Sequence, residues 1–143
     1  RQHAREVKIL LAPLFAATAL YAAPVTEKGI SYYPEAVLKD AGEYQRTMCK
    51  LDLRHTQGKT GFATVIWFHG GGLTGGQRAF PKIADPDIAL VAAGYRLSPQ
   101  AKLPEFIEDA AAATAWTLKN IVSYGGDPKR FSSPGIRRVD TSR

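Results

Sequence analysis

The sequence predicts an α/β fold with parallel strands at its centre, and three observations carry that reading. Residues 63–68 and 88–93 are short apolar runs of the kind that form buried strands. Residues 104–123 carry apolar side chains spaced by three and four, the period of a helix. Strands and helical stretches alternate through the region from residue 63 to residue 130, the order expected of strands joined by crossovers.

The 143 residues suit one domain, and 45% hydrophobic with 22% charged residues is a globular composition. The formal charge of +6 does not point to a nucleic-acid partner. Arg1, Arg5 and Lys8 at one end and Arg137, Arg138 and Arg143 at the other supply most of it, with no basic helix or aromatic-interleaved basic stripe between.

Residues 1–23 have the layout of a secretory signal: a basic start, an apolar run from Ile9 to Leu20, then the small Ala22 and Ala23. Export is therefore expected. The cleavage site is imperfect, because Tyr21 or Leu20 occupies the third position back, and an ordinary apolar helix is the alternative. The run is too short to span a bilayer, so no stable membrane anchor is expected. Cys49 is the only cysteine, which excludes an internal disulfide and a cysteine metal cluster and leaves a packing role.

Residues 24–40 read as irregular, with a first strand at 30–33 that Pro34 ends. Cys49, Leu51 and Leu53 alternate with Lys50, Asp52 and Arg54, a strand with one wet face. A polar turn, 55–61, leads to the central strand 63–68, read as buried on both faces. After a glycine loop, residues 78–83 read as a short helix with Pro81 near its first turn. The strand 88–93 and a proline-punctuated loop lead into the helix 104–123. Pro104 suits its first position, Glu105, Glu108 and Asp109 its positive end, and Lys119 its negative end. Its inner face is expected to be Ile107, Ala110, Ala111, Thr114, Leu118 and Ile121, and Gly125 with Gly126 should stop it.

The loop His69-Gly70-Gly71-Gly72-Leu73-Thr74-Gly75-Gly76 follows the central strand. Two chemistries use such a loop: pyrophosphate binding at a helix N-terminus and oxyanion stabilisation in acyl transfer. Gly70, Gly72 and Gly75 match G-x-G-x-x-G, so a NADP-binding module is one alternative. Against it, Gly94, Tyr95 and Arg96 stand where an acidic residue should hold the ribose. A P-loop is excluded because no Gly-Lys-Ser/Thr follows. HGGG after a strand is instead the loop that offers backbone N–H groups to a tetrahedral intermediate in lipases and esterases.

Three segments together, HGGGLTGG at 69–76, GYRLSP at 94–99 and residues 106–130, resemble the α/β-hydrolase superfamily. The likeness is to secreted bacterial carboxylesterases of the hormone-sensitive-lipase and feruloyl-esterase-like kind, and it runs from about Cys49 to Arg130. It implies that the chain holds the N-terminal part of an α/β-hydrolase sheet and that the intact enzyme is a serine carboxylic-ester hydrolase. Its substrate would be a small-molecule ester, with no cofactor. Gly71 and Gly72 would be the oxyanion donors and His69 would brace the loop; the plain alternative is that His69 only ends a strand. Tyr95, Arg96 and Asp109 are expected to form a hydrogen-bonded cluster under the site rather than touch substrate. Trp67 and Trp116 are expected in the core, and Ser98, in a proline loop, is a poor nucleophile.

Acyl transfer on this fold needs a serine on a G-x-S-x-G elbow, then an acid, then a histidine, and no G-x-S-x-G exists here. Residues 131–143 form a polar, arginine-rich tail instead. Back-translating residues 132–143 with permitted codons and reading from the third base gives an apolar residue, a small residue, then Gly-His-Ser-Ala-Gly-Gly-Tyr-Leu-Thr. The tail is therefore read as an out-of-frame continuation of an esterase, after a domain at 24–130. Losing the nucleophile strand should leave 63–68 as an open edge prone to self-association, in a chain that is inactive alone. A non-catalytic interaction protein is the remaining alternative.

Overall fold

The computed structural model describes residues 22–134, so the signal-like run and the tail from 135 onward lie outside the described residues. Its elements are β1 (Pro24–Ser31), α1 (Glu35–Lys39), α2 (Glu43–Met48), β2 (Lys50–Thr56), β3 (Phe62–Phe68), β4 (Ile88–Ala93), α3 (Glu105–Asn120), a 3-10 turn (Ile121–Tyr124) and β5 (Gly126–Ser132). The strands form one sheet in the order β1-β2-β4-β3-β5. β2 runs antiparallel to both β1 and β4, whereas β3 is parallel to β4 and β5. The parallel centre is the α/β arrangement expected from the apolar runs.

β4 lies between β2 and β3, and residues 89–93 are all buried, so its unbroken apolar run reflects cover on both faces. β3 is different. Phe62, Thr64 and Ile66 are buried, but Ala63, Val65 and Trp67 on the opposite face are only half-buried. Burial on both faces was expected of β3 and holds on one. The core on that side unites Leu51, Leu53, Phe62, Ile66, Ala89, Val91 and Ala93 with Ala113 and Ile121.

The first strand is Pro24–Ser31 rather than 30–33. It is an edge strand, so its polar residues gain their ladder bonds from β2 without a buried face to mark them in the sequence. A bulge at Gly29, φ +71°, is tied down where the Gly29 N–H donates to Asp52 Oδ1 at 2.8 Å. Tyr32 then turns inward and donates to Gly94 O at 3.0 Å. α1 and α2, five and six residues long, are too short to show a period.

The short helix expected at 78–83 does not form. Pro81 removes one N–H and crowds the carbonyl four residues back, and six residues cannot recover that cost. Side chains hold the segment instead. Arg78 Nε lies 3.4 Å from Asp52 Oδ1, and the Arg54 guanidinium sits 4.6 Å above the Phe80 ring.

α3 starts after Pro104, and the 3-10 turn that follows it ends at Gly125, φ +97°, whose N–H caps Ile121 O and Val122 O. Its buried face is Asp109, Ala113 and Thr117, continued by Ile121. The expected inner face is a correction, because only Ile121 of it is buried. Ile107 is 63% and Leu118 38% exposed, and with Ala110, Ala111, Thr114 and Phe68 they line an open groove. The helix is turned by about one residue, ~100°. Arg96 draws Asp109 inward, and the small Ala113 lets the helix approach the sheet closely.

β5 corrects the expected open edge. Phe62 pairs with Gly126, Thr64 with Phe131 and Val65 with Ser132, so β5 covers the first half of β3. Phe131, the first residue of the expected tail, packs half-buried against the core and completes the ladder. Among the described residues, no β5 pairing reaches Ile66–Phe68.

Candidate active site

β3 ends at Phe68, and the chain enters the glycine loop through His69, which is only 6% exposed. The His69 ring stacks on Tyr95 with centroids 4.5 Å apart and planes 13° from parallel. Its Nδ1 lies 2.9 Å from Gly70 O, a hydrogen bond in the Nδ1–H tautomer. Nε2 is buried with no partner among the described residues.

The backbone then folds back in a way only glycine permits at two points. Gly71 has φ +125°, and a Cβ there would run into Gly75 O; one on Gly76, φ +103°, would strike Gly70 O and His69 Nδ1. The resulting turn gathers three donors on Gly71 O: Thr74 N at 3.1 Å, Gly75 N at 3.2 Å and Thr74 Oγ1 at 3.1 Å. Ser98 N holds the far side by donating to Leu73 O at 2.8 Å.

The amides of Gly71 and Gly72 have no acceptor among the described residues, and both glycines are exposed. They are adjacent N–H donors beyond the carboxyl end of a parallel strand, free to receive a negative oxygen.

The residues behind the loop meet much as expected, with one exchange of partners. Arg96 clamps Asp109 through its backbone N and Nε, each 2.9 Å from Oδ2, and through Nη2, 2.8 Å from Oδ1. Arg96 Nη1 also reaches Glu105 Oε1 at 2.6 Å. Among the described residues Tyr95 makes no hydrogen bond to Asp109. It donates to His69 O at 2.6 Å, and the tyrosine that donates to Asp109 Oδ1, at 2.7 Å, is Tyr33. Tyr33 and Glu105 were missed because nothing in their spacing connects them to Arg96; only the folded chain lays the segment after β1 against α3 and brings them there. Trp67 and Trp116 are half-buried, and Trp116 packs at the margin of the core.

Asp109 is completely buried, which by itself would raise its pKa; the Arg96 guanidinium and amide and the Tyr33 hydroxyl outweigh that and hold it below the usual carboxylate range. Burial raises the Tyr95 hydroxyl, which therefore stays a donor, and burial pushes the Cys49 thiol up to about 12.

The dinucleotide alternative loses its footing here. No helix begins after the glycine loop, since residues 77–87 contain none, so no helix N-terminus faces a pyrophosphate. Arg96, the one residue suited to a 2′-phosphate, is committed to Asp109 and Glu105.

Comparison with known proteins agrees with this geometry. The BD-FAE family model matches residues 51–136. The rice (Oryza sativa subsp. japonica) probable isoprenylcysteine alpha-carbonyl methylesterase ICMEL1 is 38% identical over 72 residues, covering 50% of this chain and 16% of its own. Carboxylesterase NlhH of Mycobacterium tuberculosis is 34% identical over 77 residues, covering 50% of this chain and 24% of its own. The chain thus spans a quarter or less of the length of these two relatives. Among solved structures, esterase B from Lactobacillus rhamnosis superposes with a TM-score of 0.59 at 25% identity, over 73% of this chain and 32% of that one. A family match over more than half of the sequence, on a sheet of this order and with an HGGG loop at this strand end, makes the chain a member of the BD-FAE family, among the α/β-hydrolase esterases.

Proposed function

We propose that the protein is a serine carboxylic-ester hydrolase in which the amides of Gly71 and Gly72 hold the oxyanion and His69 braces their loop. The pair of unspent amides on adjacent exposed glycines carries this reading. A serine would attack the ester carbonyl, a histidine would take its proton and return it to the leaving alcohol, and the two N–H groups would meet the charge that develops on the carbonyl oxygen.

The nucleophile is absent from the sequence and is assigned to the frame that the tail has lost. β5 supports that assignment. Ser132 lies opposite Val65, and a strand continued in register would come level with His69 four residues later. In the second frame the fifth residue counted from position 132 is the serine of Gly-His-Ser-Ala-Gly. The elbow would then stand beside the glycine loop. The chain as given keeps the oxyanion donors and lacks the nucleophile, so alone it is inactive, and residues 1–23 are removed on export.

The test is the nucleotide sequence across codons 120–143 and about six hundred bases beyond, followed by expression of the protein it encodes. The expected result is a second frame running through the elbow to an Asp and a later His. That product should hydrolyse p-nitrophenyl acetate and take up a fluorophosphonate on the elbow serine, while the 143-residue chain does neither. A second frame that closes at once would overturn the assignment. N-terminal sequencing of the secreted protein should begin near Pro24, and a retained Ile9 would overturn export.

A further inference from the structure

We propose that Tyr95 is a positioning residue for the oxyanion donors, acting through His69; this rests on the ester-hydrolase reading above. In a trans peptide the C=O and the N–H point in opposite directions, so whatever holds the carbonyl aims the amide. Gly71 N–H shares its peptide plane with Gly70 O, and the contact on Gly70 O is His69 Nδ1 at 2.9 Å. Gly72 N–H shares its plane with Gly71 O, which the Thr74 and Gly75 donors hold. The second donor is therefore aimed within the loop, and the first depends on where the His69 ring sits.

Tyr95 sets the place of that ring twice over. Its face lies against the imidazole at 4.5 Å, and its hydroxyl donates to His69 O at 2.6 Å, fixing the plane between His69 and Gly70. Tyr95 is 3% exposed and reaches the loop from beneath. Both of its neighbours are anchored: Gly94 N donates to Lys50 O at 2.8 Å while Tyr32 donates to Gly94 O, and Arg96 is clamped on Asp109. A Cβ on Gly94 would meet Met48 O at 2.5 Å, so the backbone before Tyr95 lies directly against its neighbour. The arrangement is a fixed post under a loop whose own backbone is glycine. Substrate touches the amides and never Tyr95.

The test uses Tyr95→Phe, which keeps the ring and removes the hydroxyl. In the intact esterase kcat should fall about tenfold with KM unchanged, and the Ki of a boronic acid that mimics the tetrahedral intermediate should rise by a similar factor. A double cycle with His69→Asn should be non-additive, the Tyr95 change adding little once the histidine is gone. A kcat within twofold of the unsubstituted enzyme, a loss confined to KM, or an additive cycle would overturn the proposal. An independent readout uses the 143-residue chain. Tyr95→Phe should shift the Gly71 amide resonance while leaving Gly58 and Gly61, at the opposite end of β3, in place; an unmoved Gly71 would overturn it. Ester turnover is not needed for that measurement. An intact protein that cleaves no ester would instead count against the reaction assigned above.

Discussion

Removing the Asp109 carboxylate should cost this fold more than any other single polar change. The residue is completely buried on α3, and its two oxygens accept from Arg96 N, Nε and Nη2 and from Tyr33 Oη. Asp109→Ala leaves a guanidinium with an 11% exposed side chain, partnered among the described residues only by Glu105, and orphans a backbone amide and a phenol. Breaking such a buried pair from one side costs about 3–5 kcal/mol, which is a large share of the roughly 5–15 kcal/mol that holds a domain together. At about 3–5 °C per kcal/mol for a chain of this size, Tm should drop by about 10–25 °C. Asp109→Asn keeps one acceptor and the volume and should fall between. Replacing both partners with leucine, Arg96→Leu with Asp109→Leu, should recover much of the loss, since the apolar pair leaves no fully buried charge unpaired and the Glu105 carboxylate, 37% exposed, stays in reach of water. Urea and thermal melts followed by circular dichroism measure all four proteins. An Asp109→Ala cost below about 1 kcal/mol would refute the view that the cluster holds α3 to the chain that follows β4. A double variant no more stable than Asp109→Ala would refute the charge argument.

Other predictions follow from neighbouring observations. Because the folded Asp109 pKa lies below its unfolded value, its contribution to stability is present above about pH 4 and is lost as pH falls through the lower folded value; Asp109→Asn should remove that part of the acid limb in melts at graded pH. In the intact esterase, Gly71→Ala should abolish turnover because a Cβ strikes Gly75 O, whereas Gly72→Ala meets open space and loses only about 1 kcal/mol from its positive φ of +63°, so kcat for the two variants should separate widely. Ile107→Lys with Leu118→Lys should raise the solubility of the 143-residue chain and lower its binding of an apolar dye without lowering Tm, and a Tm loss would mean that this face is covered. Cys49, 1% exposed with its thiol pushed up to about 12, should react with a disulfide reagent only after denaturation.

Local chemistry made some features legible from residue order alone. Proline ahead of α3, acids in its first turn and Gly125 after it act within one turn of chain, so the position of the helix could be read directly. The same holds for the apolar run of β4 and for the glycine loop, whose conformation few other residues tolerate. The nearness of Tyr95, Arg96 and Asp109 to the loop was expected from the resemblance; their partners were not.

Tertiary structure decided which way each element faces and what it touches. The apolar stripe of α3 is real in the sequence, yet the helix turns a different face inward because Arg96 attracts Asp109 and Ala113 admits the sheet. Residues 24–29 have no buried face, so only β2 makes them a strand. Residues 78–83 show a faint helical pattern that Pro81 and two long-range arginine contacts override. Phe131 and Ser132 look like the start of a structureless tail until β3 offers them hydrogen bonds. Residue order along this chain determined the breaks, the caps and the glycine loop, because those energies are local. The rotation of α3, the extent of β1 and β5, and the Tyr95 post under His69 depend on groups tens of residues apart, and only the packed chain brings those together.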